Sequence, residues 1–254
     1  MTDENTTGKV ALVTGASRGI GQAIAVGFAA AGYDVVLTDL PSTERDLRKT
    51  ADKISSCGRQ AHVYLLDVSN REQVEQTVHQ AIAAAGRIDV LINNAGILKL
   101  SSLQDIDDKT WNSHFDVNVK GVLMMCQAVV PHMRERKSGR IINMASVAAR
   151  KGAPMQGHYA ATKAAVVTLT RVLAQEIGED GITVNALCPG IILTEMGRNN
   201  LGSEEAVFKW EQATALKRLG APEDVVGPAL FFASEQSRFV TGQALNVCGG
   251  LHFH

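Results

Sequence analysis

Tyr159 and Lys163 stand four residues apart in the run Tyr159-Ala160-Ala161-Thr162-Lys163. On a helix that spacing puts a phenol and an ammonium one turn apart on the same face. Bringing a phenol from a pKa near ~10 to ~7 requires about 4 kcal/mol. A cation roughly 5 Å away supplies about 3 kcal/mol at an effective dielectric of ~20. A second positive charge nearby could provide the rest, which would make the phenol a usable general acid/base near neutral pH. An exposed pair on a solvated helix would show the same spacing, so the neighbours decide. Ser146 closes the apolar run Ile141-Ile142-Asn143-Met144-Ala145-Ser146, 13 residues before Tyr159. Asn118 lies further upstream, in Phe115-Asp116-Val117-Asn118-Val119-Lys120-Gly121.

A second constellation sits near the start of the chain. Thr14-Gly15-Ala16-Ser17-Arg18-Gly19-Ile20-Gly21 follows a β-branched run and opens a helix. Glycines in that position let main-chain N–H groups approach a pyrophosphate at the helix N-terminus. The spacing is GxxxGxG rather than the general GxGxxG fingerprint. Asp39 comes 18 residues after Gly21, at the end of the next run. A carboxylate there can accept hydrogen bonds from an adenosine ribose and would repel a 2′-phosphate, which favours NAD over NADP. Arg18 argues the other way, since it could face a 2′-phosphate. Asp39 as a turn or capping residue would leave the cofactor choice open.

These residues need a scaffold. Seven short runs bounded by turn residues read as strands: Lys9–Thr14, Asp34–Thr38, Ala61–Leu66, Ile88–Asn93, Arg140–Ala145, Ile182–Cys188 and Gln243–Val247. Helical periodicity fills Ile20–Ala31, Glu44–Ser56, Arg71–Ala85, Val119–Arg136, Tyr159–Ile177 and Glu223–Ala233. Most of the strands are nearly continuous in apolar residues, which fits burial on both faces. The expected fold is therefore α/β: a doubly wound Rossmann fold, with a seven-stranded parallel sheet flanked by helices on both faces. No linker divides it, so residues 1–254 read as a single domain. The segment 191–222 lacks a strand and reads as a substrate lid, or alternatively as a surface helical hairpin.

Composition removes other classes. Lys and Arg total 25 against 26 Asp and Glu, and hydrophobic residues make up 45% of the 254. That balance does not fit a nucleic-acid binder or a disordered chain. No apolar run reaches the ~18 residues of a membrane helix, and the polar start does not read as a signal peptide. Asn5-Thr6-Thr7 is a formal glycosylation acceptor without a secretory route. The four cysteines have no CxxC pair, so a disulfide framework and a thiolate metal site are both unsupported. The expected compartment is the cytoplasm, with no metal and no membrane partner. The 23 glycines, several of them between a helix and the next strand (Gly32, Gly58, Gly86, Gly181), suit repeated helix caps and close backbone approaches.

Taken in order, these residues resemble the short-chain dehydrogenase/reductase family in its compact form, from Lys9 to Gly250. Gly15, Ser17, Arg18, Gly19, Ile20 and Gly21 match its cofactor loop, and Asp67-Val68 its adenine-contacting pair. Asn93-Asn94-Ala95-Gly96 looks like its motif after the fourth strand. Asn118, Ser146, Tyr159 and Lys163 match its catalytic tetrad. Pro189, Gly190, Ile192 and Thr194 look like the segment that positions the nicotinamide carboxamide. The resemblance implies hydride transfer at the nicotinamide C4. Tyr159 would be the general acid/base, Ser146 would orient the reacting oxygen, and Asn118 would help anchor a water that relays the proton. Lys163 would lower the Tyr159 pKa and hold the nicotinamide ribose. One departure is visible: the family's Val-Asp-Gly-Gly is here Val247-Cys248-Gly249-Gly250.

By the same resemblance the substrate pocket falls to Ser146, Val147, Ala148, Ala153, Met155, Gln156, His158, Ile191 and Met196. These suit a small or medium secondary alcohol or ketone, with a sugar or polyol as a further option. Arg150 and Lys151 read as solvated loop charges rather than an anion site, His158 as packing or rim, and Trp210 as a packing anchor. Apolar excess on Val119–Met133 and Tyr159–Ile177 suggests a subunit contact, and the family implies a homotetramer. The tail Leu251-His252-Phe253-His254 is frayed or tucked against a neighbour. Two rivals stand beside an NAD-dependent alcohol dehydrogenase: an NADPH-dependent 3-oxoacyl-carrier-protein reductase, and a non-catalytic dinucleotide-binding protein.

Overall fold

The computed structural model describes residues 8–253. The Asn5-Thr6-Thr7 acceptor and His254 lie outside the described residues. Seven strands form one parallel sheet: β1 (Val10–Thr14), β2 (Asp34–Asp39), β3 (Ala61–Leu65), β4 (Val90–Asn93), β5 (Gly139–Met144), β6 (Ile182–Pro189) and β7 (Ala244–Val247). Their spatial order is β3-β2-β1-β4-β5-β6-β7. The crossovers reverse direction between β1 and β4, where Leu12 pairs with Val36 on one side and Leu91 on the other. That reversal opens a crevice at the carboxyl ends of the strands.

Helices cover both faces, in chain order α1 (Gly19–Ala30), α2 (Glu44–Ser56), α3 (Arg71–Ala85), α4 (Asp108–Phe115), α5 (Gly121–Glu135), α6 (Ala148–Lys151), α7 (Gly157–Ile177), α8 (Glu195–Leu201), α9 (Glu204–Ala213) and α10 (Val226–Ala233). Alternate residues of each strand serve opposite cores. Val10 and Leu12 pack with Val74 and Val78 of α3, Met125 and Val129 of α5, and Val166 of α7. Ala11 and Val13 pack with Ile24 and Phe28 of α1, Leu47 and Ile54 of α2, and Phe232 of α10. Helix α2 shows why such segments must dock. Leu47, Thr50 and Ile54 are buried at helical spacing, and the rest of its surface is polar or charged.

Buried polar groups set the register. Asn93 Nδ2 donates to Asn143 Oδ1 at 2.9 Å, and Asn143 Nδ2 donates to Thr170 Oγ1 at 2.9 Å. This relay ties β4, β5 and α7 in the layer beneath the crevice, and a one-residue slip would orphan its amides. At the start of β4, buried Asp89 accepts from Val10 N at 2.8 Å, from Arg87 Nε at 2.7 Å and from Arg136 Nη2 at 2.8 Å. Burial pushes its carboxyl up, but Arg87, Arg136 and the Val10 N–H outweigh that and hold it below the usual carboxylate range.

Several boundaries depart from expectation. The helix read as Val119–Arg136 is two elements: α5, and before it a π-type turn at Asp116–Lys120 that runs on from α4. The segment 191–222 carries two helices, α8 and α9, joined at Gly202, with only an isolated bridge from Ile192 to Gly220. Both helices wall the crevice, α8 through Met196 and Asn200 and α9 through Trp210.

Candidate active site

Helix α1 starts directly behind β1, and no side chain caps its first turn or places an acidic group there. Its N–H groups are thus free to meet an anion. The loop before it has no room for side chains. A Cβ on Gly15 would stand 2.9 Å from Ala95 Cα, and one on Gly21 would stand 2.0 Å from Gly15 O. Asn94 fixes the same loop from β4, its Nδ2 donating to Thr14 O at 2.9 Å and to Gly15 O at 3.0 Å. Asp39, at the end of β2, accepts from Ser17 N at 3.0 Å and from Leu40 N at 2.8 Å. It therefore serves as a turn residue and still faces the crevice. The cradle fits a pyrophosphate and an adjoining ribose.

The second cluster comes from β5 and α7. Ser146 follows β5; its Oγ accepts from Ala148 N at 3.1 Å, and its hydroxyl lies near enough to Tyr159 to act on the phenol. Lys163, one turn along α7, is buried, and its Nζ donates to Met144 O at 2.7 Å and lies 5.7 Å from the Tyr159 ring centroid. Burial lowers the Lys163 pKa to about 8. Burial also pushes the Tyr159 phenol up, and the Ser146 hydroxyl opposes this without reversing it. The expected lowering of the phenol draws on a second positive charge beside Lys163; in the chain by itself burial sets the direction.

Asn118 sits behind this cluster, in the π-type turn, fully buried. Its Oδ1 accepts from Ile97 N at 2.8 Å, and its Nδ2 donates to Ile97 O at 3.0 Å and to Thr162 Oγ1 at 3.1 Å. Its amide is thus committed to the β4–α4 loop and to the second turn of α7. A π-type turn is a recurrent device for re-aiming one side chain within a helix.

Between the two clusters runs one crevice of about 820 Å³. Every expected cofactor residue lines it, from Gly15 to Gly21 through Asp39, Asp67, Val68, Asn94, Ala95 and Gly96 to Pro189, Gly190, Ile192 and Thr194. So do Ser146, Tyr159, Lys163, Ala148, Ala153, Gln156 and Met196, while Asn118 supports the wall from behind. Of the expected pocket residues, His158 does not line the crevice; it packs edge-on against His114, ring centroids 4.2 Å apart, as the packing rather than the rim reading has it. Arg150 is corrected, since its Nη2 donates to Ala244 O rather than to solvent. Trp210 of α9 lines the crevice, with Lys151 Nζ 5.2 Å from its ring. Cys248 packs beside Gly190, where a Cβ would stand 2.8 Å from its own.

Sequence reasoning missed one wall. Ile97, Leu98 and Leu100, from the loop after β4, line the substrate end together with Asn200 and Leu251. Their signal was an apolar run without strand or helix period, directly after a strand at the switch point. Gln156 Nε2 donates to Asn200 Oδ1 at 3.2 Å and so joins that end to α8. Among the described residues no helix is long and apolar enough to cross a membrane, and no three His, Cys, Asp or Glu side chains are grouped to hold a metal.

Comparison with known proteins agrees with this geometry. Residues 15–252 match the family described as enoyl-(acyl carrier protein) reductase. The (2S)-[(R)-hydroxy(phenyl)methyl]succinyl-CoA dehydrogenase subunit BbsD of Thauera aromatica is 41% identical over 95% of this chain and 96% of its own. A 3-oxoacyl-[acyl-carrier-protein] reductase of Synechocystis sp. is 40% identical over 96% of this chain and 97% of its own. Among solved structures, a gluconate 5-dehydrogenase from Burkholderia cenocepacia, in complex with NADP and tartrate, superposes with a TM-score of 0.92. It is 36% identical, covering 96% of this chain and 95% of its own. The family match and these relatives extend along almost the whole length, and the chain belongs to the short-chain dehydrogenase/reductase family of oxidoreductases.

Proposed function

We propose that the chain catalyses hydride transfer between NAD(H) and a secondary alcohol or ketone, with sugars and polyols within its range. The observation that carries this reading is that Ser146, Tyr159 and Lys163 line the same crevice as the glycine cradle. The cradle of Gly15, Gly19 and Gly21 would hold the pyrophosphate, Asp39 the adenosine ribose, and Asp67-Val68 the adenine. Lys163 and Tyr159 would hold the nicotinamide ribose, and the stretch Pro189–Thr194 the carboxamide. A bound nicotinamide supplies the hydride acceptor or donor at C4, and its oxidised ring adds a positive charge. In the oxidative direction Tyr159 Oη takes the alcohol proton, and the phenol hydrogen returns to the product oxygen in the reverse direction. Ser146 Oγ holds that oxygen at bonding distance from the phenol. Asn118 keeps the wall in place, and a water held near it relays the proton.

The substrate end pairs a few polar groups, Gln156 and Asn200, with apolar Leu98, Leu100, Met155 and Met196. That balance supports a compact, partly apolar substrate. Asp39 supports NAD. A second reading is an NADPH-dependent 3-oxoacyl-carrier-protein reductase, favoured by the Synechocystis relative and by Arg18 in the cradle. Half-exposed Leu123 on α5 and Val172 on α7 support assembly of several copies, of which a cytoplasmic homotetramer is our reading.

The test is a panel of secondary alcohols, polyols and 3-oxoacyl thioesters with each nucleotide, followed at the absorbance of reduced nicotinamide. Turnover with NAD and an alcohol, lost in Tyr159→Phe while NADH still binds, is the expected result. Preference for NADPH with 3-oxoacyl thioesters would install the second reading. Nucleotide binding without turnover of any substrate would favour a non-catalytic role.

A further inference from the structure

Arg18 is the charged residue of the glycine loop, and a guanidinium there is the group that would receive a 2′-phosphate on the adenosine ribose. In the folded chain it is engaged from the opposite wall. Its Nη1 donates to Oε2 of Glu195, the first residue of α8 and 177 positions away in sequence. The surrounding backbone holds the two segments together. A Cβ on Gly19 would stand 3.1 Å from Thr194 Cγ2. Thr194 Oγ1 caps α8 by accepting from Gly197 N at 3.0 Å, and a Cβ on Gly197 would stand 2.0 Å from Ile192 O. The first turn of α8 therefore has little freedom to move, and Glu195 is fixed beside the loop. On the inner side, Asp39 accepts from Ser17 N, next to Arg18. Asp39 thus holds the loop's main chain from β2, while Glu195 holds the Arg18 side chain from α8.

We propose that Glu195 is a specificity-determining residue for the nucleotide. By pairing with Arg18 it withholds the guanidinium from a 2′-phosphate, and the rim keeps a net negative charge that suits an unphosphorylated ribose. This assignment rests on the NAD reading above and adds a second determinant, remote in sequence from Asp39. The glycine loop and β2 alone present opposing signals, an arginine and an aspartate, and α8 decides between them. Both partners are largely exposed, so the effect is that of a surface pair, about 2- to 5-fold in relative affinity.

The experiment titrates the purified full chain with NADH and with NADPH by nucleotide fluorescence, comparing wild type, Glu195→Gln, Arg18→Ala and the double variant. Glu195→Gln is expected to lower the ratio of the NADPH Kd to the NADH Kd by about 2- to 5-fold. In the Arg18→Ala background the same substitution should shift that ratio by less than about 1.5-fold. A ratio unmoved by Glu195→Gln overturns the proposal, including the case where both nucleotides weaken equally because the pair merely latches α8. A shift of full size without Arg18 also overturns it, since the carboxylate would then act by direct repulsion. A wild-type ratio below one would refute the NAD reading on its own, while the effect of Glu195 would still be read from the variants.

Discussion

Replacing Lys163 by methionine should make the protein more stable while ending turnover. Methionine follows much the same path as the lysine stem and carries no charge. Lys163 is 4% exposed, and burial brings its ammonium from 10.5 to about 8. That fall corresponds to about 3 kcal/mol of folding free energy at neutral pH. Part is returned by the bond to Met144 O at 2.7 Å, and orphaning that carbonyl costs about 1 kcal/mol. The net gain is about 2 kcal/mol, a rise in Tm of about 4–8 °C for a chain of this size. The pH dependence has a definite sign. Below pH 8 the lysine is protonated in both states, and the penalty is fully present. Between about 8 and 10.5 the unfolded chain holds a proton that the folded chain has released, so wild-type stability from this group rises with pH. The advantage of Lys163→Met should therefore be full at pH 7 and mostly gone at pH 10. Thermal denaturation of both proteins, without nucleotide and followed by circular dichroism at the two pH values, measures it. A variant less stable than wild type at pH 7, or one whose advantage is equal at pH 10, would refute the reasoning.

Three further outcomes follow from the same geometry. Asn118→Ala frees both main-chain groups of Ile97 and should cost about 2 kcal/mol; calorimetry should show the loss, and kcat should fall at least tenfold because the wall moves. Gly21→Ala forces a Cβ to 2.0 Å from Gly15 O, so the cradle must open; NADH affinity by fluorescence titration should drop by at least about tenfold, and an unchanged Kd would show that the loop shape is not what binds. Asp89→Asn removes a carboxylate held by two arginines and should cost about 3 kcal/mol in urea denaturation at pH 7. Because the folded pKa of Asp89 is depressed, its contribution is present above about pH 4 and lost as pH falls through the folded value. The variant's stability should therefore fall less steeply between about pH 5 and 2 than that of wild type.

How much of this could be read in advance depended on whether a residue's role was local. All seven strands were legible; in the five inner ones burial on both faces leaves a nearly continuous apolar run such as Val10–Val13, while the edge strands β3 and β7 are only partly buried. The cradle and the Tyr159–Lys163 pair were legible because loop shape and helix spacing are set within a few residues. Helix α4 was not. Its buried positions, Thr110 and His114, are polar, and it shows no apolar stripe, although Asp107 caps it by accepting from Thr110 N at 2.6 Å. Arg150 looked like a loop charge because its acceptor, Ala244 O, belongs to a strand 94 positions away. The direction of the Tyr159 pKa escaped for a related reason. Spacing gives the distance to a cation, whereas desolvation depends on what the rest of the chain packs around both groups.

The π-type turn at Asp116–Lys120 has a consequence for how the two halves of its helix can evolve. A wide turn holds one residue more than the α-helix it interrupts, and each residue of an α-helix advances the face by about 100°. Spread over a wide turn at about 80° per residue, the extra residue is absorbed, so the faces of α4 and α5 stay nearly in line across it. Deleting one residue there would close the turn into α-helix and leave Met125 and Val129 on the sheet, with His114 still under the loop it supports. Deleting one within α5 itself would rotate everything beyond it by about 100°. The turn thus acts as an expansion joint, where the rod can gain or lose a residue without turning either end away from its client.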